Sequence, residues 1–179
     1  MRPPTTRQPS PLIVLVAAIL FILLAVLEAM AGHLTPLGGD PAASWTVHIR
    51  QVDDALAKHD LSAAERAWHN AYAAALGSRR WEGMVEVGDA VRRIGATGGS
   101  RTAAHARARR IYLTALFRAR QQGSLDGVLR AAEAFSALGD PQVVVQCLRI
   151  AERLAAQGRD AKARDRVLAF SQRLATNHP

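Results

Sequence analysis

Beyond residue 44, apolar residues recur at spacings of three and four, the period of helices that bury a single stripe. Trp45, Ile49, Val52 and Leu56 set the first stripe behind Ser44 as an N-cap and predict a helix ending near Lys58. The second helix opens on the capping box Ser62-Ala-Ala-Glu65, carries Leu61, Ala64, Trp68, Ala71, Tyr72 and Ala75, and stops at Gly77. A third is predicted over 80–94 with Gly95 as its terminator; Gly83 and Gly88 let a neighbouring helix approach closely at some cost in propensity. The fourth and longest spans 101–121, after the Gly98-Gly99-Ser100 loop. Ser124 and Asp126 open the fifth, which closes at Gly139. Asp140-Pro141 is a cap followed by proline at the first helical position, and the sixth then carries Val144, Cys147, Ala151 and Leu154 to Gly158. The seventh, over 160–175, carries Ala163, Val167, Phe170 and Leu174. No segment alternates strictly as a half-buried strand does, so the fold class is all-α, with about seven helices after the N-terminal region.

That N-terminal region follows another rule. Residues 12–27 are sixteen in a row without a polar side chain, and 12–31 as a helix would cross about 30 Å of hydrocarbon. Arg2 and Arg7 precede it, and Ala29-Met30-Ala31 has the form of a cleavage site, so a secretion signal competes with a retained transmembrane anchor. The anchor is preferred, because the apolar run is long for a signal core and the leading segment is weakly charged. Glu28 lies within a turn of the outer boundary, where it reaches headgroup water. Residues 32–49 contain no Lys or Arg, so the positive-inside bias puts the tail, 1–11, in the cytoplasm. The rest of the chain then lies on the periplasmic or extracellular side of an inner membrane that it crosses once. Residues 32–44, with two prolines and three glycines, read as a linker.

The helical part repeats. The pattern of 62–95 returns without gaps over 106–139: Trp68-x2-Ala71-Tyr72-x2-Ala75 is answered by Tyr112-x2-Ala115-Leu116-x2-Ala119, and Gly83, Ala90 and Gly95 by Gly127, Ala134 and Gly139. A third copy follows 35 residues on, where Cys147, Gly158 and Phe170 answer Tyr112, Gly123 and Phe135. Over 61–175 this pattern resembles the tetratricopeptide family, whose helix hairpins recur with a period of about 34. The first helices of the first two copies, Trp68-x2-Ala71-Tyr72-x2-Ala75 and Tyr112-x2-Ala115-Leu116-x2-Ala119, follow the family pattern. In the second helix of each hairpin, Gly88, Ala132 and Val167 are followed three positions later by Val91, Phe135 and Phe170, so large and small residues are exchanged. The resemblance implies a short α-solenoid over 61–177 that binds a protein or peptide in a concave groove, without catalysis and without fixed functional residues. The helix at 45–60 has no counterpart in the repeat and is assigned as its cap. In such a stack the back of the fourth helix, with Leu113 and Phe117, is expected to be covered by a neighbour.

Candidate chemistry is sparse. The six histidines, His33, His48, His59, His69, His105 and His178, show no metal-site spacing, and the single Cys147 falls on an apolar stripe as a structural thiol. No phosphate loop, nucleophile triad or carboxylate pair is evident, so no enzyme activity, cofactor or metal is expected. The Gly95–Gly99 stretch with Arg101 follows no strand and reads as a plain loop.

Charge adds one signal. The formal net charge is +8, and eight arginines without an acid lie between Asp89 and Asp126: Arg92, Arg93, Arg101, Arg107, Arg109, Arg110, Arg118 and Arg120. At 100° per residue Arg107 and Arg118 flank one side of the fourth helix, Arg109 and Arg120 the other, and Arg110 its back, so they form no single nucleic-acid face. They are candidate contacts to an acidic partner or an anion. Two functions are expected to compete. One is a membrane-anchored scaffold on the outer side of a bacterial-type membrane that docks a partner protein or peptide. The other is a periplasmic or secreted module, cleaved after Ala31, that binds a small anionic ligand near Arg92 to Arg120.

Overall fold

The structure, a computed structural model, describes residues 41–158 and 161–177. The chain divides into two units, Met1–Gly39 and Asp40–Pro179, and the described residues belong to the second. The expected cytoplasmic tail, the anchor at 12–31 and most of the linker lie outside the described residues. Among the described ones, no helix is long and apolar enough to cross a membrane.

These residues form seven helices and no strand: α1 (Pro41–Ala57), α2 (Leu61–Ser78), α3 (Trp81–Thr97), α4 (Arg101–Gln121), α5 (Leu125–Ala137), α6 (Pro141–Gln157) and α7 (Ala161–Asn177). The all-α class follows the apolar period. Four boundaries differ from the sequence expectation, each for a local reason. α1 begins at Pro41, inside the expected linker, because proline in a first turn forfeits no helical hydrogen bond; Ser44 is therefore within the helix. α2 is capped by Asp60, whose Oδ1 accepts from the Ala63 amide at 2.8 Å, so the Ser62–Glu65 box is not the cap. At its other end α2 runs past the expected stop at Gly77 to Ser78, because Arg79 takes the left-handed cap conformation (φ 57°) and donates its amide to the Leu76 carbonyl. α3 runs through Gly95 to Thr97, since Gly95 is a crossing point and not a stop. A Cβ built on Gly95 would lie 2.1 Å from the Ala104 Cβ of α4.

Successive helices pack together, and their short connections make neighbours antiparallel. The odd helices also approach one another in the order α1–α3, α3–α5 and α5–α7. Small residues make this possible. The Trp45 indole of α1 lies against Gly83 of α3, and the Trp81 indole of α3 lies against Gly127 of α5 in the same way. α1, assigned from sequence as a cap without a counterpart, thus packs on α3 as α3 packs on α5. Ala75 and Ala119, both fully buried, face those same two glycines from α2 and α4.

The junction residues Val91, Phe135 and Phe170 are buried, as the repeat predicts. Leu113 and Phe117 are not. Phe117 is 58% exposed, because α4 packs through one face onto α3 and α5, leaving the opposite face open. α4 belongs to the layer of even helices. Long side chains bridge it to α2: Arg107 lies over the Trp68 ring, and Arg118 reaches the α2 carbonyls.

Candidate functional site

The odd helices are linked by a row of acid–base rungs. Asp53 of α1 accepts from Arg93 of α3 at 2.9 Å, Asp89 of α3 from Arg130 of α5 at 2.5 Å, and Asp126 of α5 pairs with Arg166 of α7. The partners stand 40, 41 and 40 residues apart, so each rung spans one helix pair. Glu86 accepts from the Trp45 Nε1 at 3.0 Å, which adds a polar link between α1 and α3. Burial raises the Glu86 pKa despite that hydrogen bond. Rungs this open to water contribute little stability each; their effect is to set the register of one odd helix against the next. Sequence reasoning missed them, although the near-even recurrence of Asp53, Asp89 and Asp126 was a readable signal.

At the last rung a cleft of about 450 Å³ opens among α3, α5 and α7. Its floor is Trp81, Leu129 and Phe170, and its walls carry Arg130, Glu133, Arg166 and Arg173. The Arg173 guanidinium lies 5.4 Å from the Phe170 ring centroid. An apolar floor with walls of both charges can hold an apolar side chain and hydrogen-bond the chain that carries it. Its ionisable lining is two carboxylates, Asp126 and Glu133, and three guanidinium groups.

The eight arginines of the acid-free stretch do not share one surface. Arg118 donates through Nη1 to the Ala75 carbonyl at 2.9 Å and the Arg80 carbonyl at 3.1 Å, and through Nη2 to the Leu76 carbonyl at 3.1 Å. It thereby places a cation at the carboxyl end of α2, where the helix dipole favours one. Desolvation lowers its pKa from the usual value. Arg107 sits 3.7 Å from the Trp68 ring centroid and pairs with Glu65 at 3.4 Å. Arg109 pairs with Asp140 at 2.6 Å. Arg92, Arg93 and Arg101 do converge, around a second cleft of about 540 Å³ with His105 and Asp89. Asp89 there is already engaged by Arg130 and by the Tyr112 hydroxyl, which donates to it at 2.5 Å. Burial and that carboxylate push the Tyr112 pKa up. Arg110 and Arg120 stay exposed on α4.

Cys147 is fully buried, and burial pushes its thiol up to about 12. With so little thiolate, its reaction with a disulfide reagent at pH 8 is expected to be roughly a thousandfold slower than that of a free cysteine. Stopped-flow labelling of the folded chain checks this, with the denatured chain as reference; a rate near the reference would show the α6 stripe to be open. Among the described residues, no group of three or more His, Cys, Asp or Glu side chains is placed to hold a metal ion. The chain matches no protein-family model, no curated protein and no solved structure.

Proposed function

We propose that the chain is a membrane-anchored, non-catalytic scaffold whose helices form a short tetratricopeptide-like solenoid that docks a partner protein or peptide. The observation that carries this reading is the row of stacked odd helices, held in register by the Asp–Arg rungs and ending at the apolar-floored cleft. A surface built this way is preorganised, so a partner meets side chains that are already positioned. The anchor at 12–31 holds the array on the outer side of the membrane.

A photo-crosslinking residue at Ala169, which lines the cleft, tests the docking in cells; Gln146, exposed on α6, is the control position. Adducts of one discrete mass from position 169, absent from 146, are the expected result. Equal yields at both positions, or none at 169, would withdraw the cleft as the docking site. Carbonate-washed membranes should retain the intact chain. The convergence of Arg92, Arg93, Arg101 and His105 favours the second reading, a periplasmic module released after Ala31 that binds a small anion. A mature chain beginning at Gly32 would support that reading over the first.

A further inference from the structure

The face of α4 turned away from α3 and α5 carries Arg110, Leu113, Phe117 and Arg120 on one helical stripe. Phe117 is 58% exposed and Leu113 38%. Arg110 and Arg120 are exposed too, and neither has a carboxylate within ion-pair distance among the described residues. The sequence holds no acid from residue 90 to residue 125, and the acids that form ion pairs with α4 from elsewhere in the chain, Glu65 and Asp140, pair with Arg107 and Arg109 and not with the arginines of this stripe.

We propose that this stripe docks on the surface of an anionic bilayer, with Phe117 and Leu113 at the boundary of headgroups and acyl chains and Arg110 and Arg120 on lipid phosphates. Surface attachment of this kind takes two signals, an apolar contact and basic residues, and the stripe supplies both. The inference rests on the anchor reading above. Only nine residues, 32–40, separate the expected span from α1, a reach of about 30 Å at full extension. A tether that short makes docking effectively intramolecular, so two apolar side chains and two charges suffice where a free protein would need more. Charge complementarity selects headgroups of net negative charge over zwitterionic ones, whose phosphate is balanced by a cation.

The test uses the full chain in vesicles of phosphatidylcholine alone and of phosphatidylcholine mixed with phosphatidylglycerol. An environment-sensitive fluorophore is attached at Ala106→Cys, an exposed position on the same stripe, or at Ala169→Cys in the cleft among the odd helices; the buried native thiol stays unlabelled. The expected result is a blue shift at 106, with quenching by nitroxide-labelled lipid, in the anionic vesicles only. Arg110→Glu/Arg120→Glu should abolish both, and Phe117→Ser should weaken both without changing the melting temperature. Equal signals in the two lipids, indifference to the charge reversal, or quenching at 169 in place of 106 would each overturn the proposal. Shielding at 106 in cells but not in anionic vesicles would also overturn it, and would assign the stripe to an acidic protein. If carbonate releases the chain, the anchor reading fails on its own account. The chain held on phosphatidylglycerol vesicles through an N-terminal histidine tag and nickel-chelating lipid then decides: loss of the blue shift at 106 on charge reversal sustains the stripe, and no loss refutes it.

Discussion

Truncation of Phe135 to alanine is expected to cost about 3–5 kcal/mol, the range for removing a fully enclosed aromatic ring. The ring has no exposed surface and meets Tyr112 edge-on, with centroids 6.0 Å apart and planes at 73°. It lies at the junction of α5 with its neighbours, so the cavity left behind has walls on several helices and cannot collapse by moving one of them. Domains of this size are stable by only about 5–15 kcal/mol, so the variant should lose a large share of its stability. Phe170 is nearly as buried, but it sits on the last helix and an arginine covers its ring, so Phe170→Ala belongs at the lower end of the range. Phe117→Ala should change stability by no more than about 0.5 kcal/mol, as at an unconstrained surface site. Urea midpoints for the three variants order these expectations; a loss at Phe117 comparable with that at Phe135 would show that a helix covers the outer face of α4.

Gly95→Ala is expected to destabilise the chain by about 1–3 kcal/mol, although alanine is the better helix former by about 1 kcal/mol. The new methyl would lie 2.1 Å from the Ala104 Cβ, and a β-carbon is fixed to its backbone, so α3 and α4 must separate. Gly88→Ala meets the Tyr112 ring at 2.3 Å, with the hydroxyl of that ring held by Asp89, so it should act in the same direction. Gly77 supplies the contrast. It lies in α2 with nothing within 4 Å of an added Cβ, so Gly77→Ala should be neutral or stabilising by up to about 1 kcal/mol. Thermal unfolding of the two sets separates close packing from propensity, and a rise in melting temperature for Gly95→Ala would refute the close crossing of α3 and α4.

The helices themselves were legible in the chain. A stripe such as Val144, Cys147, Ala151 and Leu154 is a local signal, and so is Ser124 before α5, whose hydroxyl accepts from the Gly127 amide within one turn; Pro141 opens α6 as expected, but the Asp140 carboxylate before it makes no cap hydrogen bond and pairs with Arg109. The repeat placed Val91, Phe135 and Phe170 at equivalent junctions for the same reason: periodicity of side-chain size survives without knowledge of the partner. Gly95 was misread as a stop because a glycine in a helical pattern has two uses, to end the helix or to admit a neighbour. Only the position of Ala104 separates them.

What the chain could not carry locally was which helix meets which. Arg107 and Arg118 stood out as cations, yet one stacks on Trp68 and the other holds the carboxyl end of α2, both more than a helix away in sequence. The rungs Asp53–Arg93, Asp89–Arg130 and Asp126–Arg166 arise the same way, from odd helices brought side by side across an intervening helix. Phe117 completes the contrast: its place on α4 followed from a period of 3.6, whereas its exposure depended on α4 lying in the even layer. Helical period and caps are set by neighbours within about four residues and are therefore written in the sequence. Layer, register and ion pairing depend on contacts some 40 residues apart, which no local pattern constrains, and these the tertiary structure alone decided.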